Sequence, residues 1–180
     1  MNKTEACIKR VLAGDQAAFS ELYNETIDGV YRTLYFLSGS DRHAVDDIVQ
    51  NVYMELYRGL HRFDCSRSLQ AWLSGIALRQ MQAYRRANWR ELRRRQRLRS
   101  SLEAERGDAG SHAALEADDL ADELSKLSEK QREAVVLRYI NDLTQGEIAE
   151  LLQIPIGTVK SRLHDGLNKL REDKRRQKNE

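Results

Sequence analysis

The sequence predicts an all-α protein built as two small helical domains joined by a flexible linker, the second of them containing a helix-turn-helix. Three observations carry this. Apolar residues recur at spacings of three and four through most of the chain, the period of amphipathic helices and not of strands. A single proline in 180 residues leaves those periods nearly uninterrupted. Around 100–117 the period fades into a stretch holding Gly107 and Gly110 with little to bury, the composition of a linker. The chain is long enough for two compact modules and too short for a large catalytic barrel. The expected division is 1–99 for the first domain, 100–119 for the linker and 120–180 for the second.

Phe19, Leu22, Tyr23, Ile27, Val30, Leu34 and Leu37 form one stripe of a long helix, with Asp15 as its N-cap and Gly39 as its stop. A second helix is expected after Asp41, another capping residue. Val45, Ile48, Val49, Val52 and Leu56 form its stripe, Gly59 ends it, and Asp46, Asp47, Gln50 and Asn51 make its opposite face polar. The pattern breaks between Leu60 and Arg67. It resumes from a Ser66 or Ser68 cap with Leu69, Trp72, Leu73, Ile76 and Ala77, in a helix that runs through Tyr84 and Trp89 into an arginine block. The spacing of Trp72 from Leu69 and Ile76 assigns it to the core.

Beyond the linker, Leu120, Leu124 and Leu127 start a new stripe. Ser128 with Gln131 forms a capping box for a helix whose apolar face is Val135, Val136, Tyr139 and Ile140, ending at Asn141-Asp142. Thr144 with Glu147 forms a second capping box, and Ile148, Ala149 and Leu152 mark a short helix. Pro155 stands where a helix cannot continue but a new one can start. Val159, Leu163, Leu167 and Leu170 stripe the last helix.

A net charge of +2 hides an uneven distribution: residues 65–99 carry +9, whereas residues 1–64 carry −3 and residues 100–126 carry −6. Such a basic block is the footprint of a polyanion binder, because cationic side chains displace counterions condensed on phosphates. A solvated helix face is the alternative. No uncharged stretch approaches the roughly 18 to 20 apolar residues of a membrane span, and residues 1–10 lack an apolar export signal, so a cytoplasmic location is expected. Cys7 and Cys65 are too few and too far apart for a disulfide framework. His61 and Cys65 stand four apart without a further ligand, so no metal and no cofactor are expected.

Two short helices joined at Gln153-Ile154-Pro155 fit the helix-turn-helix, whose second helix enters the major groove. Ala149 is small where the helices approach, and Val159 and Leu163 hold the second helix down. The face left outward carries Thr158, Lys160, Ser161, Arg162, His164 and Asp165, with donors and acceptors suited to phosphates and base edges. In the basic helix, Tyr84 and Trp89 lie among Arg79, Arg85, Arg86, Arg90, Arg93, Arg94 and Arg95. Aromatic planes interleaved with guanidinium groups suit unstacked bases as well as duplex phosphates.

From about Ala18 to Glu172 the chain resembles the extracytoplasmic function (ECF) class of bacterial RNA polymerase sigma factors, in which two helical domains, regions 2 and 4, are joined by a flexible linker. The resemblance is most specific at Leu127 to Glu133, Gly146 to Leu152 and Ile156 to His164, which are similar to region 4. Asp47 to Tyr53 is similar to the polymerase-binding helix of region 2, and Ala71-Trp72-Leu73 with Ile76-Ala77 to the promoter-opening helix. The resemblance implies core RNA polymerase and promoter DNA as partners, regulation by an anti-sigma factor, no small-molecule substrate and no enzymatic activity. It implies docking on the polymerase through Asp47, Gln50, Asn51 and Tyr53. It implies capture of an unstacked -10 base by the loop from Leu60 to Arg67 and the start of the next helix, with Phe63, Arg67, Arg79, Tyr84, Arg85, Arg86 and Trp89 as the residues that bind DNA at the -10 element. The -35 element falls to the recognition helix. Those two elements lie on the order of 50 Å apart, about one and a half duplex turns, and an extended linker of some 20 residues reaches about 70 Å.

The chain departs from the family where Arg79 and Ala83 replace asparagine and aspartate in the promoter-opening helix, and where Asp165 stands in place of a common arginine. Promoter sequence therefore does not carry over from relatives. A stand-alone helix-turn-helix regulator is the competing reading, but no dimerisation heptad is evident. A nucleic-acid enzyme would need clustered carboxylates or an activated nucleophile, and Asp46-Asp47 is better explained as a polar helix face.

Overall fold

The computed structural model describes residues 3–39, 41–99 and 115–177. They form eight α-helices and one 3-10 turn, and among them no strand occurs and no helix is long and apolar enough to cross a membrane. The first helix, α1 (Lys3–Leu12), is an element the periodicity does not announce. Its buried side chains are only Cys7, Ile8 and Val11, one turn of stripe. It packs against α2 (Gln16–Ser38), where Asp15 caps the N-terminus by accepting from the Ala18 amide at 3.1 Å. Gly39 ends α2 at φ 68°, a conformation open to glycine and costly for other residues.

The next helix, α3 (Val45–Gly59), corrects one expectation. Its N-cap is Ala44, with no side-chain bond. Asp41 instead accepts from the Tyr84 hydroxyl at 3.0 Å and from Asn88 at 3.4 Å, because the following long helix passes close enough to recruit it. A 3-10 turn (Leu60–Arg62) leads to α4 (Leu69–Arg99), about 46 Å long at 1.5 Å per residue. Ser68 caps it by accepting from the Ala71 amide at 3.2 Å. Leu22, Leu34, Leu37, Ile48, Leu56, Leu60, Ile76 and Met81 are fully buried between α2, α3 and α4. Truncating any one of these to alanine costs about 2–5 kcal/mol.

The second domain includes α5 (Leu115–Ser125), whose first residues fall in the stretch expected as linker. The rest of the expected linker, 100–114, lies outside the described residues. Both capping boxes form as the sequence requires, Ser128 with Gln131 opening α6 (Glu129–Tyr139) and Thr144 with Glu147 opening α7 (Gln145–Leu152). Gln153 turns the chain in the left-handed region at φ 54°, and α8 (Ile156–Gln177) starts just after Pro155. Leu124, Leu137, Ile148 and Val159 fill the core of this domain. Tyr139, expected on the apolar face of α6, is instead exposed. The two domains touch: α5 and α6 lie against α2, and Leu151 of α7 against Gly75 of α4.

Candidate nucleic-acid interface

The recognition helix follows from its register. At 100° per residue, Val159 and Leu163 share the buried arc of α8, which leaves Ser161, His164 and Asp165 near the centre of the outward arc. Thr158 and Arg162, both half-buried, line one flank of that arc, and exposed Lys160 lines the other. Two of these groups are occupied within the helix. The Ser161 hydroxyl donates to the Thr158 carbonyl at 3.0 Å, and His164 Nε2 lies 2.9 Å from the Asn168 amide. The arrangement presents short polar groups at the centre and cations at the edges, the order in which a major-groove helix meets bases and then phosphates.

The second surface runs from the loop after α3 along α4. Phe63 stacks at 4.8 Å on Trp72, which is half-buried against Gly59, so the tryptophan belongs to the packing that supports the loop. Asp64 accepts from the Ser66 hydroxyl and amide, which tightens the turn and holds its carboxyl below the usual carboxylate range. The turn leaves Arg67 exposed. Farther along α4, Arg79 pairs with Glu55 at 3.3 Å, Arg86 is exposed, and Trp89 is 59% exposed with the Arg93 guanidinium 5.9 Å over its ring. Tyr84 is half-buried, and burial pushes its phenol up. The side chain of Arg95 lies outside the described residues.

Arg85 does not join this surface. Its side chain is 14% exposed, pairs with Glu133 at 3.3 Å and Glu129 at 3.7 Å, and donates to the Leu37 carbonyl. A half-turn of register explains it: Met81 and Arg85 are four apart on the inward face of α4, whereas Arg79 and Arg86 are seven apart on the outward one. Gln82, on the same inward side, donates to Glu133 at 3.1 Å.

On α3, Asp47, Gln50 and Asn51 are exposed on one face. Tyr53 is not part of it. It follows Val49 by four residues, so it belongs to the buried stripe, is 6% exposed, shares a 2.8 Å hydrogen bond with Thr26, and has its phenol pushed up to about 12 by burial. The exposed face continues instead into Met54 and Tyr57, 49% and 59% exposed, beside an apolar groove formed with Phe19 and Tyr23. The signal for both was available in the sequence, since they stand four and seven residues after Gln50 and off the apolar stripe.

Residues 10–91 match the family described as Sigma-70 region 2, and residues 117–170 match Sigma-70, region 4. The chain is 30% identical to the ECF RNA polymerase sigma factor SigW of Bacillus subtilis (strain 168), covering 93% of this chain and 95% of that one. It is 29% identical to the ECF RNA polymerase sigma factor SigK of Mycobacterium tuberculosis (strain ATCC 25618 / H37Rv), covering 93% and 91%. Among solved structures, CnrH in complex with the cytosolic domain of CnrY is similar at a TM-score of 0.66 and 27% identity, covering 93% of this chain and 94% of that one. The sigma factor RpoE in complex with the anti-sigma factor NepR from Bartonella quintana shares the fold at a TM-score of 0.71 and 24% identity, covering 86% and 94%.

Proposed function

The chain belongs to the ECF class of RNA polymerase sigma factors, and from that membership we propose how its parts direct promoter-specific initiation. The exposed face of α3, with Asp47, Gln50 and Asn51 extended by Met54 and Tyr57, docks on core RNA polymerase. The loop holding Phe63 and Arg67 receives an unstacked base of the -10 element. Arg79, Tyr84, Arg86 and Trp89 follow the opened strand along α4 by stacking and phosphate contact. In the second domain, Ser161, His164 and Asp165 read -35 base edges while Thr158, Lys160 and Arg162 position the helix on phosphates. The chain has no catalytic step of its own, since bond formation belongs to the polymerase, and it acts in the cytoplasm on promoter DNA without a small-molecule substrate. A protein inhibitor of anti-sigma type belongs to the same reading, supported by the similarity to CnrH, which was solved with the cytosolic domain of CnrY.

The observation that carries this reading is one chain holding two DNA-suited surfaces on separate domains and, on α3, an exposed polar face that neither domain uses for packing. Asp47→Arg combined with Gln50→Ala changes only exposed side chains, so the fold should persist. Affinity for core polymerase should fall roughly tenfold or more. Unchanged co-purification of the double variant with core polymerase would overturn the assignment.

A further inference from the structure

Between α2 and the first turns of α4, beside the end of α6, lies a cavity of about 360 Å³, and none of its lining residues belongs to the proposed polymerase or DNA surfaces. We propose that it is a binding site for a small neutral ligand, a compact and mainly apolar molecule carrying one N–H or O–H donor. Size and lining set this class. Ligand sites commonly begin at about 300 Å³, and about 150 Å³ already admits benzene. Val30, Leu73 and Ala77 are buried in the wall, with Leu69 and Ile140 half-buried beside them, so the body of the ligand is apolar. The charged side chains of the lining are Glu25 and Arg32, both exposed and opposite in sign. A charged ligand would find no buried counterpart there.

The polar key is Asn141. Its amide nitrogen donates to the Thr33 hydroxyl at 2.8 Å and to the Ser74 hydroxyl at 2.6 Å, and those hydroxyls donate onward to the Gly29 and Gln70 carbonyls. This chain of donors fixes the amide, with the nitrogen toward the hydroxyls and Oδ1 left as an acceptor. Asn141 is 5% exposed and lines the cavity, yet its Oδ1 is buried without a partner among the described residues. A buried acceptor is costly until a donor reaches it. The Thr26 hydroxyl, also in the lining, already donates to the Leu22 carbonyl. With the lining hydroxyls all committed, none is free to act as a nucleophile, so the ligand is held and not turned over.

Gly29 points to the same cavity independently. It stands inside the 23-residue α2, where glycine costs stability relative to alanine, and its φ is not positive, so the backbone does not require glycine. Close packing does not require it either, since a Cβ built there would stand in open space. Gly29 lines the cavity from the face of α2 that also carries Thr26, Val30 and Thr33, at helical spacings of three and four. A side chain at this position would enter the cavity, and glycine keeps it open.

The test is isothermal titration calorimetry of the full chain with indole, a planar apolar probe with a single N–H, and with 1-methylindole, which keeps the rings and lacks the donor. Indole should bind once per chain and half-saturate at about 1 mM or below. Binding of 1-methylindole should be about tenfold weaker, because the acceptor then stays unpaired. Gly29→Ala should bind indole as the unsubstituted chain does, whereas Gly29→Leu should lose it. Both substitutions favour the helix, so thermal melts followed by circular dichroism should be no lower than that of the unsubstituted chain. Absence of saturable indole binding would overturn the site. Equal binding of the two probes would overturn it as well, by removing Asn141 as the polar key, and so would undiminished binding to a folded Gly29→Leu chain, by moving the ligand out of this cavity. Should Gly29→Leu fail to fold, the comparison of the two probes decides alone.

Discussion

At the scale of single residues, Gly39 and Asp165 make opposite kinds of demand. Gly39 combines a positive φ with a neighbour, Arg132, that occupies the place of a Cβ. Gly39→Ala therefore meets backbone strain and a displaced guanidinium together, and it should destabilise the protein by about 1–3 kcal/mol in urea denaturation. Asp165 is exposed on the outward arc of α8, where a carboxylate is repelled by phosphates in general but can accept a hydrogen bond from a cytosine amino group. Asp165→Arg should tighten binding to all duplex DNA, steepen the log-log salt dependence by about 0.9 through one additional neutralised phosphate, and erase a cytosine preference at one -35 position. An unchanged salt slope and unchanged base preference would place Asp165 away from DNA. Residues of this kind were legible to different degrees. Gly39 stood out as a helix stop, but its partner Arg132 did not, because that pairing joins positions far apart in sequence.

At the scale of the helix, caps carry a pH signature. Glu147 accepts from the Thr144 amide and hydroxyl, and these bonds hold its carboxyl below the ordinary value of 4.5. Asp15 is held low in the same way, first by the Ala18 amide and then by Arg10. A carboxyl whose pKa is depressed by folding contributes stability that is fully present above its unfolded pKa and is lost as pH falls through the lower folded one. The helix-turn-helix should thus weaken below about pH 4.5. Glu147→Gln keeps the accepting oxygen of the box but does not titrate, so it should lower stability slightly at neutral pH, where the ionised carboxylate contributes, and flatten the stability curve below about pH 4.5, as read by urea titrations across a pH series. The two capping boxes, the Asp15 cap and the proline start were all legible, since each is complete within a few residues. The start of α3 was not, because Asp41 has the composition of a cap but is recruited by Tyr84 and Asn88 from another helix.

At the scale of the whole molecule, the proposed function places -35 reading and strand opening on different domains, which makes them separable. Tyr84→Ala with Arg86→Ala alters the surface of α4 that is proposed to follow the opened strand and leaves α8 untouched. Strand opening, read as permanganate-reactive thymines, should fall further than closed-complex formation. An equal loss of both would return Tyr84 and Arg86 to simple phosphate contact. Part of this surface was readable from aromatic and arginine residues interleaved on one helix. Arg85 was read with it because composition places it there, although the register of α4 turns it inward to Glu133.

The sequence by itself determined the helices other than α1, most of their caps, the helix-turn-helix and the membership of the chain in its family, because each depends on residues within a few turns of one another or on the linear order of motifs. Only the tertiary structure decided which members of each motif face solvent and how the domains meet. Tyr53 entered the core, Met54 and Tyr57 took the outer face, and Asn141, legible only as a helix stop, became the amide that joins α2 and α4. The reason is that a side chain's exposure is set by what packs against its helix from elsewhere in the chain. The bonds of Asn141 to Thr33 and Ser74 span 108 and 67 residues, far beyond the reach of any local pattern.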